Sequence, residues 1–134
     1  MNQTPILTFQ ERGGITVGHI EAASVLDAVN VSHVGEALMT YVEKHPRANL
    51  LLDFEHVDYL SSAVLTELLR LHKFLMDQGG HLRLCSLNDD IRKVFEITNL
   101  DKLFMIYEDA DAGVVKFKRS LAVEAQDRAW EPGV

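Results

Sequence analysis

Apolar and polar residues alternate at the start of the chain and then change to a helical spacing. Residues 6–12 and 14–21 each place an apolar side chain at alternate positions, with a glycine-rich turn signal between them, which predicts a β-hairpin. An irregular stretch, residues 22–31, follows. Residues 32–44 are then predicted as an amphipathic helix. The apolar positions of that helix are Val34, Ala37, Leu38, Tyr41 and Val42.

The middle of the chain contains a short apolar run and a long helical stripe. Residues 48–54 are almost continuously apolar, and this length suits a strand buried on both faces better than a helix. A polar loop, residues 55–61, leads to a predicted helix over residues 62–78. The Gly79-Gly80 pair ends that helix, and residues 81–87 are predicted as the next strand. The apolar stripe of the helix consists of Leu65, Leu68, Leu69, His72 and Leu75.

The last third of the chain predicts a short helix, a strand and a closing helix. The short helix has N-cap oxygens available at residues 88–90 and apolar positions at Ile91, Val94 and Phe95. Residues 103–107 are predicted as a strand and 109–121 as a helix, while 122–134 are a polar tail expected to fray. The order β-β-α-β-α-β-α-β-α predicts one α/β domain, a mixed sheet of about five strands with helices mainly on one face.

Composition narrows the classes of protein to consider. The chain has 134 residues, 47% of them hydrophobic and 25% charged, which is ordinary for one globular domain. Neither a membrane-spanning run nor a secretory signal is present, so we expect a cytoplasmic protein without membrane insertion. The single cysteine, Cys85, fits a reducing compartment. A net charge of −7 argues against nucleic acid as a partner, because nucleic acid is bound through basic patches.

Motifs for catalysis and cofactor binding are missing. The glycines do not have the spacing of phosphate-binding loops, and no GxSxG motif accompanies the serines. The six histidines lack the spacing that would place two metal ligands on one face. The sequence therefore predicts a protein that is not an enzyme and has neither a cofactor nor a metal site.

Two adjacent serines stand where the buried strand leads into the long helix. One of Ser61 and Ser62 is expected to be an ordinary N-cap, worth about 1 kcal/mol. A helix N-terminus also favours a phosphate, because it offers free N–H donors and a partial positive charge. Asp53, Glu55 and Asp58 are close in sequence, so a phosphoserine carrying roughly −1.5 to −2 charges would strengthen a negative surface. This arrangement favours a phosphorylation switch operated by an external kinase.

Residues 57–65, VDYLSSAVL, resemble the V-x-F-[ML]-D-S-S-G-L signature of the STAS domain and its bacterial anti-sigma factor antagonists. In an ungapped alignment Tyr59 takes the aromatic position and Ser62 takes the first serine, which accepts phosphate in that family. Ser61, Ala63 and Val64 depart from the signature's Asp, Ser and Gly. The resemblance continues at Leu26-Asp27, at 79–85 and at 94–100, and it covers about residues 6–121, with 122–134 as the tail.

The resemblance implies a function. An unphosphorylated anti-sigma factor antagonist binds an anti-sigma factor with serine kinase activity and frees a sigma factor, and phosphate on Ser62, or as second choice Ser61, would end the binding. A serine phosphatase is a further partner that the resemblance allows. The alternative is a STAS module that is never phosphorylated, either a signalling scaffold or a transporter accessory subunit. The implied partner-binding residues are Asp27, Asp58, Tyr59, Ser61, Ser62, Ala63 and Val64.

Overall fold

The computed structural model describes residues 7–21, 28–58 and 60–129. The strands are β1 (Leu7–Arg12), β2 (Ile15–Ile20), β3 (Asn49–Asp53), β4 (His81–Cys85) and β5 (Ile106–Tyr107). The helices are α1 (Ala28–Lys44), α2 (Ser62–Gln78), α3 (Asp89–Ile97) and α4 (Ala110–Ala129), with a 3₁₀ turn at Leu100–Lys102. Within these ranges no helix is long and apolar enough to span a bilayer.

The five strands form one mixed sheet in the order β1-β2-β3-β4-β5. The strands β1 and β2 are antiparallel, joined by a turn in which Gly13 and Gly14 have φ of 59° and 92°, values that favour glycine. Each later pair is parallel, so a helix crosses from one strand to the next. The carboxyl ends of β2 to β5 therefore meet at one edge of the sheet.

Helices cover both faces of this sheet, three on one side and one on the other. Apolar residues of α1, α2 and α3 pack with Leu50 and Leu52 of β3, whereas α4 packs with Leu51 through Val114 and Phe117. These three leucines are fully buried, which confirms the prediction that β3 is covered on both faces. The predicted α/β class with a five-stranded mixed sheet is confirmed.

Several element ends differ from the sequence prediction. The helix α1 begins at Ala28 rather than at residue 32, since its apolar stripe starts only at Val34 and does not mark the first turn. The strand β4 ends at Cys85 rather than at 87, because Ser86 takes a φ of 65° and leaves the extended conformation. These differences leave the order of the elements unchanged.

The end of the chain also differs. The strand β5 has two residues rather than the predicted 103–107, because the Phe104 N–H bonds back to the Leu100 carbonyl at 2.9 Å in a turn. The helix α4 continues past Leu121 to Ala129, through residues rich in good helix formers such as alanine, glutamate and glutamine. The predicted end of this helix at 121 is wrong, whereas flexibility of the tail stays a prediction.

Candidate functional site

The acceptor loop, defined as residues 55–61, leaves the carboxyl edge of the sheet between β3 and α2. Asp53 at the end of β3 is in register with Cys85 at the end of β4, and the Phe54 N–H donates to the Cys85 carbonyl at 3.0 Å. The acceptor loop therefore runs beside the connection from β4 to α3, residues 86–88. Ligands of open α/β sheets are commonly bound at this edge.

Ser61 is the N-cap of α2. Its backbone is extended, with φ −89° and ψ 165°, and its Oγ accepts a hydrogen bond from the Val64 N–H at 3.4 Å. The Ser61 carbonyl accepts from the Leu65 N–H at 3.3 Å, which is the first turn of the helix. The expected serine cap is thus Ser61, whose side chain is partly buried.

Ser62 is the first residue of α2, and its side chain is exposed. Its carbonyl accepts from the Thr66 hydroxyl at 3.1 Å, but among the hydrogen bonds of the described residues none uses the Ser62 hydroxyl or N–H. The first turn of α2 contains no acidic residue. The Ser62 hydroxyl is therefore accessible at a helix end that has no negative charge of its own.

The other predicted partner-binding residues are exposed, buried or outside the described residues. Asp58 and Ala63 are exposed, like Ser62, whereas Val64 is buried in the core. Asp27 and Tyr59 lie outside the described residues, so their roles stay predictions. The structure thus brings Asp58, Ser62 and Ala63 to the surface around the start of one helix.

A buried carboxylate holds the beginning of the acceptor loop. Asp53 is only 3% exposed; its Oδ1 accepts from the Glu55 N–H at 3.1 Å, and its Oδ2 lies 2.8 Å from Nδ1 of His19 on β2. Local sequence patterns do not predict this pair, since 34 residues separate the two side chains. A polar residue at the end of a buried apolar run was the one available signal.

Asn88 connects the acceptor loop to α3. Its Oδ1 accepts from the Ile91 N–H at 2.9 Å, which caps α3 as the sequence predicted. Its Nδ2 also donates to the carbonyl of Asp58 at 2.8 Å and to that of Val57 at 3.3 Å. The sequence pattern contained no sign of these two bonds across the loops.

The groups with reactive chemistry elsewhere in the described residues are buried or dispersed. Burial raises the pKa of the Cys85 thiol to about 12, which keeps it protonated and unreactive. Burial lowers the pKa of His72, whose ring packs on Phe104 with centroids 5.0 Å apart. Within the described ranges no group of three or more His, Cys, Asp or Glu side chains could hold a metal ion.

Sequence comparison places the chain among known proteins. The model of the STAS domain family matches residues 7–113. A protein of Bordetella bronchiseptica that carries the name anti-sigma factor antagonist BtrV is 30% identical over 115 residues, which cover 86% of this chain and 97% of BtrV.

Solved structures of anti-sigma factor antagonists have the same fold as this chain. A STAS domain protein of Planctomyces limnophilus, an anti-sigma factor antagonist, superposes with a TM-score of 0.75 at 18% identity, covering 84% of this chain and 97% of its own. The unphosphorylated form of the Bacillus protein SpoIIAA superposes with a TM-score of 0.67 at 16% identity, covering 85% of this chain and 96% of its own. The phosphorylated form superposes with a TM-score of 0.64 at 16% identity, covering 82% of this chain and 97% of its own. The chain belongs to the STAS domain family and, within it, to the anti-sigma factor antagonists.

Proposed function

We propose that this protein is a cytoplasmic anti-sigma factor antagonist whose binding is switched by phosphate on Ser62. The unphosphorylated form binds an anti-sigma factor with serine kinase activity and thereby frees a sigma factor. A serine phosphatase restores the unphosphorylated form. The observation that carries the proposal is the different placement of the two serines at the start of α2. Ser61 caps the helix, and the Ser62 hydroxyl is exposed.

The local electrostatics favour phosphate on Ser62 in the free protein. A phosphate there lies near the N–H groups of the first helical turn, which have no acceptors within the helix. Phosphate on Ser61 would instead alter the oxygen that caps α2, so Ser62 is the first choice and Ser61 the second. SpoIIAA, which shares the fold, has been solved with and without phosphate.

The same phosphate opposes a bound partner. Residues 48–69 contain no lysine or arginine, and the acceptor loop contributes the exposed carboxylates of Glu55 and Asp58. An added dianion is therefore not neutralised by its own segment. Reversing a binding equilibrium from 1:99 to 99:1 takes about 5.5 kcal/mol, and desolvating an unpaired charge costs several kcal/mol. A phosphate buried against the partner is thus sufficient to end binding.

The surface that meets the partner is centred on the start of α2. Asp58, Ser62 and Ala63 are its exposed members, and Asp27 and Tyr59 join it by family resemblance. Ser61 and Val64 act beneath this surface, the first as the cap and the second as a core contact. The protein contributes no catalytic group in this scheme, because the kinase supplies the nucleotide and the base.

Phosphate mapping of protein purified from its source tests the switch. Trypsin cleavage after Arg47 and Arg70 yields one peptide, residues 48–70, that contains both serines and Thr66. Fragmentation of this peptide should place phosphate on Ser62. Phosphate on Ser61 would show that the residue register is off by one. A peptide unmodified under all growth conditions would overturn the switch in favour of an interaction module that is never phosphorylated.

Binding to the purified anti-sigma factor tests the consequence. We expect Ser62→Ala to bind like the wild type and Ser62→Glu to bind at least about 100-fold more weakly, because it places a charge in the interface. Gln78→Glu is the matched control, since it adds the same charge at the other end of α2, about 24 Å away. Equal affinity of Ser62→Glu and wild type would contradict the switch.

A further inference from the structure

We propose that Asn88 is a positioning residue of this switch: its side-chain amide holds the acceptor loop against the start of α3, so the partner-binding surface is already formed in the free protein. The hydrogen bonds between Asn88 and the acceptor loop are seen in the structure. Their effect on partner recognition rests on the proposed function. Asn88 itself is not the phosphate acceptor, and it is 26 residues beyond Ser62 in the chain.

Both the oxygen and the nitrogen of the Asn88 side-chain amide form hydrogen bonds. The oxygen accepts from the Ile91 N–H at 2.9 Å, and the nitrogen donates to the Asp58 carbonyl at 2.8 Å and the Val57 carbonyl at 3.3 Å. A flipped amide would place the nitrogen at a donor and the oxygen at two acceptors, so this orientation is the one that satisfies every group. Aspartate or serine at position 88 could cap α3 but could not donate in this way to the two carbonyls.

The acceptor loop depends on this contact for its polar attachment. The Glu55 N–H bonds to Asp53 and the Val57 N–H to the Phe54 carbonyl, and both bonds stay within the segment that runs from β3 to α2. Ser61 at the end of the loop accepts from the Val64 and Leu65 N–H groups of α2. In the described part of the loop, the hydrogen bonds that come from outside residues 53–78 are those from Asn88. They attach the loop at Val57 and Asp58.

Asn88 is itself held firmly. Leu87 before it is buried, and Ile91 in the first turn of α3 is 1% exposed in the main core. The backbone carbonyl of Asn88 accepts from the Arg92 N–H at 2.9 Å. Asn88 thus ties residues 57 and 58 of the acceptor loop to the start of α3, in addition to the packing of Val57 in the main core. A loop held in advance loses less entropy when a partner binds.

Amide hydrogen exchange on the full chain separates the two uses of Asn88. In Asn88→Asp the cap acceptor remains while the amide donors are lost. Asn88→Ser keeps the cap acceptor without a new charge, and its single O–H on a shorter side chain cannot replace both bonds to the loop. We expect amides of residues 55–61 to exchange about tenfold faster in both variants, the scale of one or two lost hydrogen bonds. The amides of Ile91 and Arg92 should keep their protection.

Asn99→Asp is the matched control, because Asn99 precedes the 3₁₀ turn without a side-chain cap bond. It should leave the exchange of residues 55–61 unchanged. Unchanged loop exchange in both position-88 variants would overturn the proposal. Equal loss of protection in the loop and in α3 would also overturn it, since Asn88 would then only stabilise its own helix.

A second arm measures recognition. With the purified anti-sigma factor, Asn88→Ser should bind about tenfold more weakly than the wild type. Asn99→Asp should bind like the wild type. The amides of Ile91 and Arg92 in α3 should keep their protection in Asn88→Ser. If neither Ser62 phosphate nor anti-sigma factor binding is found but the exchange result holds, the proposed function fails and the loop attachment stands. If loop exchange is unchanged, the attachment fails whatever the partner does.

Discussion

The helices α2 and α3 begin side by side at the carboxyl edge of the sheet, and the two starts differ in charge. Each is capped by a side-chain oxygen that accepts from the N–H three residues on, Ser61 in α2 and Asn88 in α3. The first turn of α3 contains Asp89 and Asp90, whereas that of α2 contains no acidic residue. The carboxylates of Asp89 and Asp90 therefore offset the positive end of the α3 dipole, whereas the first turn of α2 has no acidic side chain that could do the same.

In the proposed switch, this difference distinguishes a helix start with a constant charge from a neighbouring start that accepts phosphate. The exposed Ser62 occupies the first turn of α2, where a phosphate would supply the negative charge that the sequence omits. The two starts are linked by Asn88, which caps one and contacts the loop before the other.

Removing the anchor of α3 should have the largest effect. Phe95 is fully buried and packs edge-to-face on Phe104, with ring centroids 6.0 Å apart. We expect Phe95→Ala to lower the free energy of unfolding by about 3–5 kcal/mol, since it leaves a cavity in the core. Ile97→Ala in the same helix is the control, because Ile97 is 79% exposed. Equal urea midpoints for the two variants would show that α3 is not anchored by packing.

Removing the cap of α2 should have a smaller effect. Ser61→Ala loses the acceptor for the Val64 N–H, which should lower the free energy of unfolding by about 1 kcal/mol, and Ser61→Asp should restore it. Ser62→Ala is the matched control and should change stability little. If Ser62→Ala is the destabilising variant in urea titrations, then Ser62 is the cap and the assignment of the two serines is reversed.

Removing the permanent charges of α3 should make its start resemble that of α2. Asp89→Asn and Asp90→Asn should each lower stability by about 0.3–1 kcal/mol at low ionic strength, and the loss should shrink in 1 M salt as charges are screened. Asp77→Asn near the end of α2 should not lower stability, because a negative charge is unfavourable there. A loss that does not depend on salt would argue against the dipole explanation.

Adding a charge to the start of α2 should have the smallest effect, and with the opposite sign. Ser62→Glu should raise the free energy of unfolding by a few tenths of a kcal/mol at low salt relative to the neutral Ser62→Gln, since the dipole favours the charge. The exposed Glu55 and Asp58 reduce the gain. Below about pH 4 the introduced carboxylate is protonated and the two variants should converge. Lower stability of Ser62→Glu at low salt would show that repulsion in the acceptor loop prevails.

The prediction from sequence succeeded where the signal was local. The bounds of α2 were predicted residue for residue, because an apolar stripe, a serine cap and a Gly-Gly stop all lie in one continuous segment. It failed at α1 and α4, whose ends at Ala28 and Ala129 lie beyond the apolar stripes that the prediction used. Helix backbone can continue in residues that bury nothing, and hydrophobic periodicity does not reveal them.

By itself, the sequence determined the element order, the double burial of β3 and the presence of two hydroxyls at the start of a long helix. These follow from side-chain period, run length and turn residues, which are properties of neighbours in the chain. Three features became visible only in the folded chain: Ser61 is the cap, His19 meets Asp53, and Asn88 reaches the Asp58 carbonyl. The last two contacts span 34 and 30 residues and exist because parallel pairing aligns the ends of β2, β3 and β4 at one edge, a register set by packing of the whole sheet.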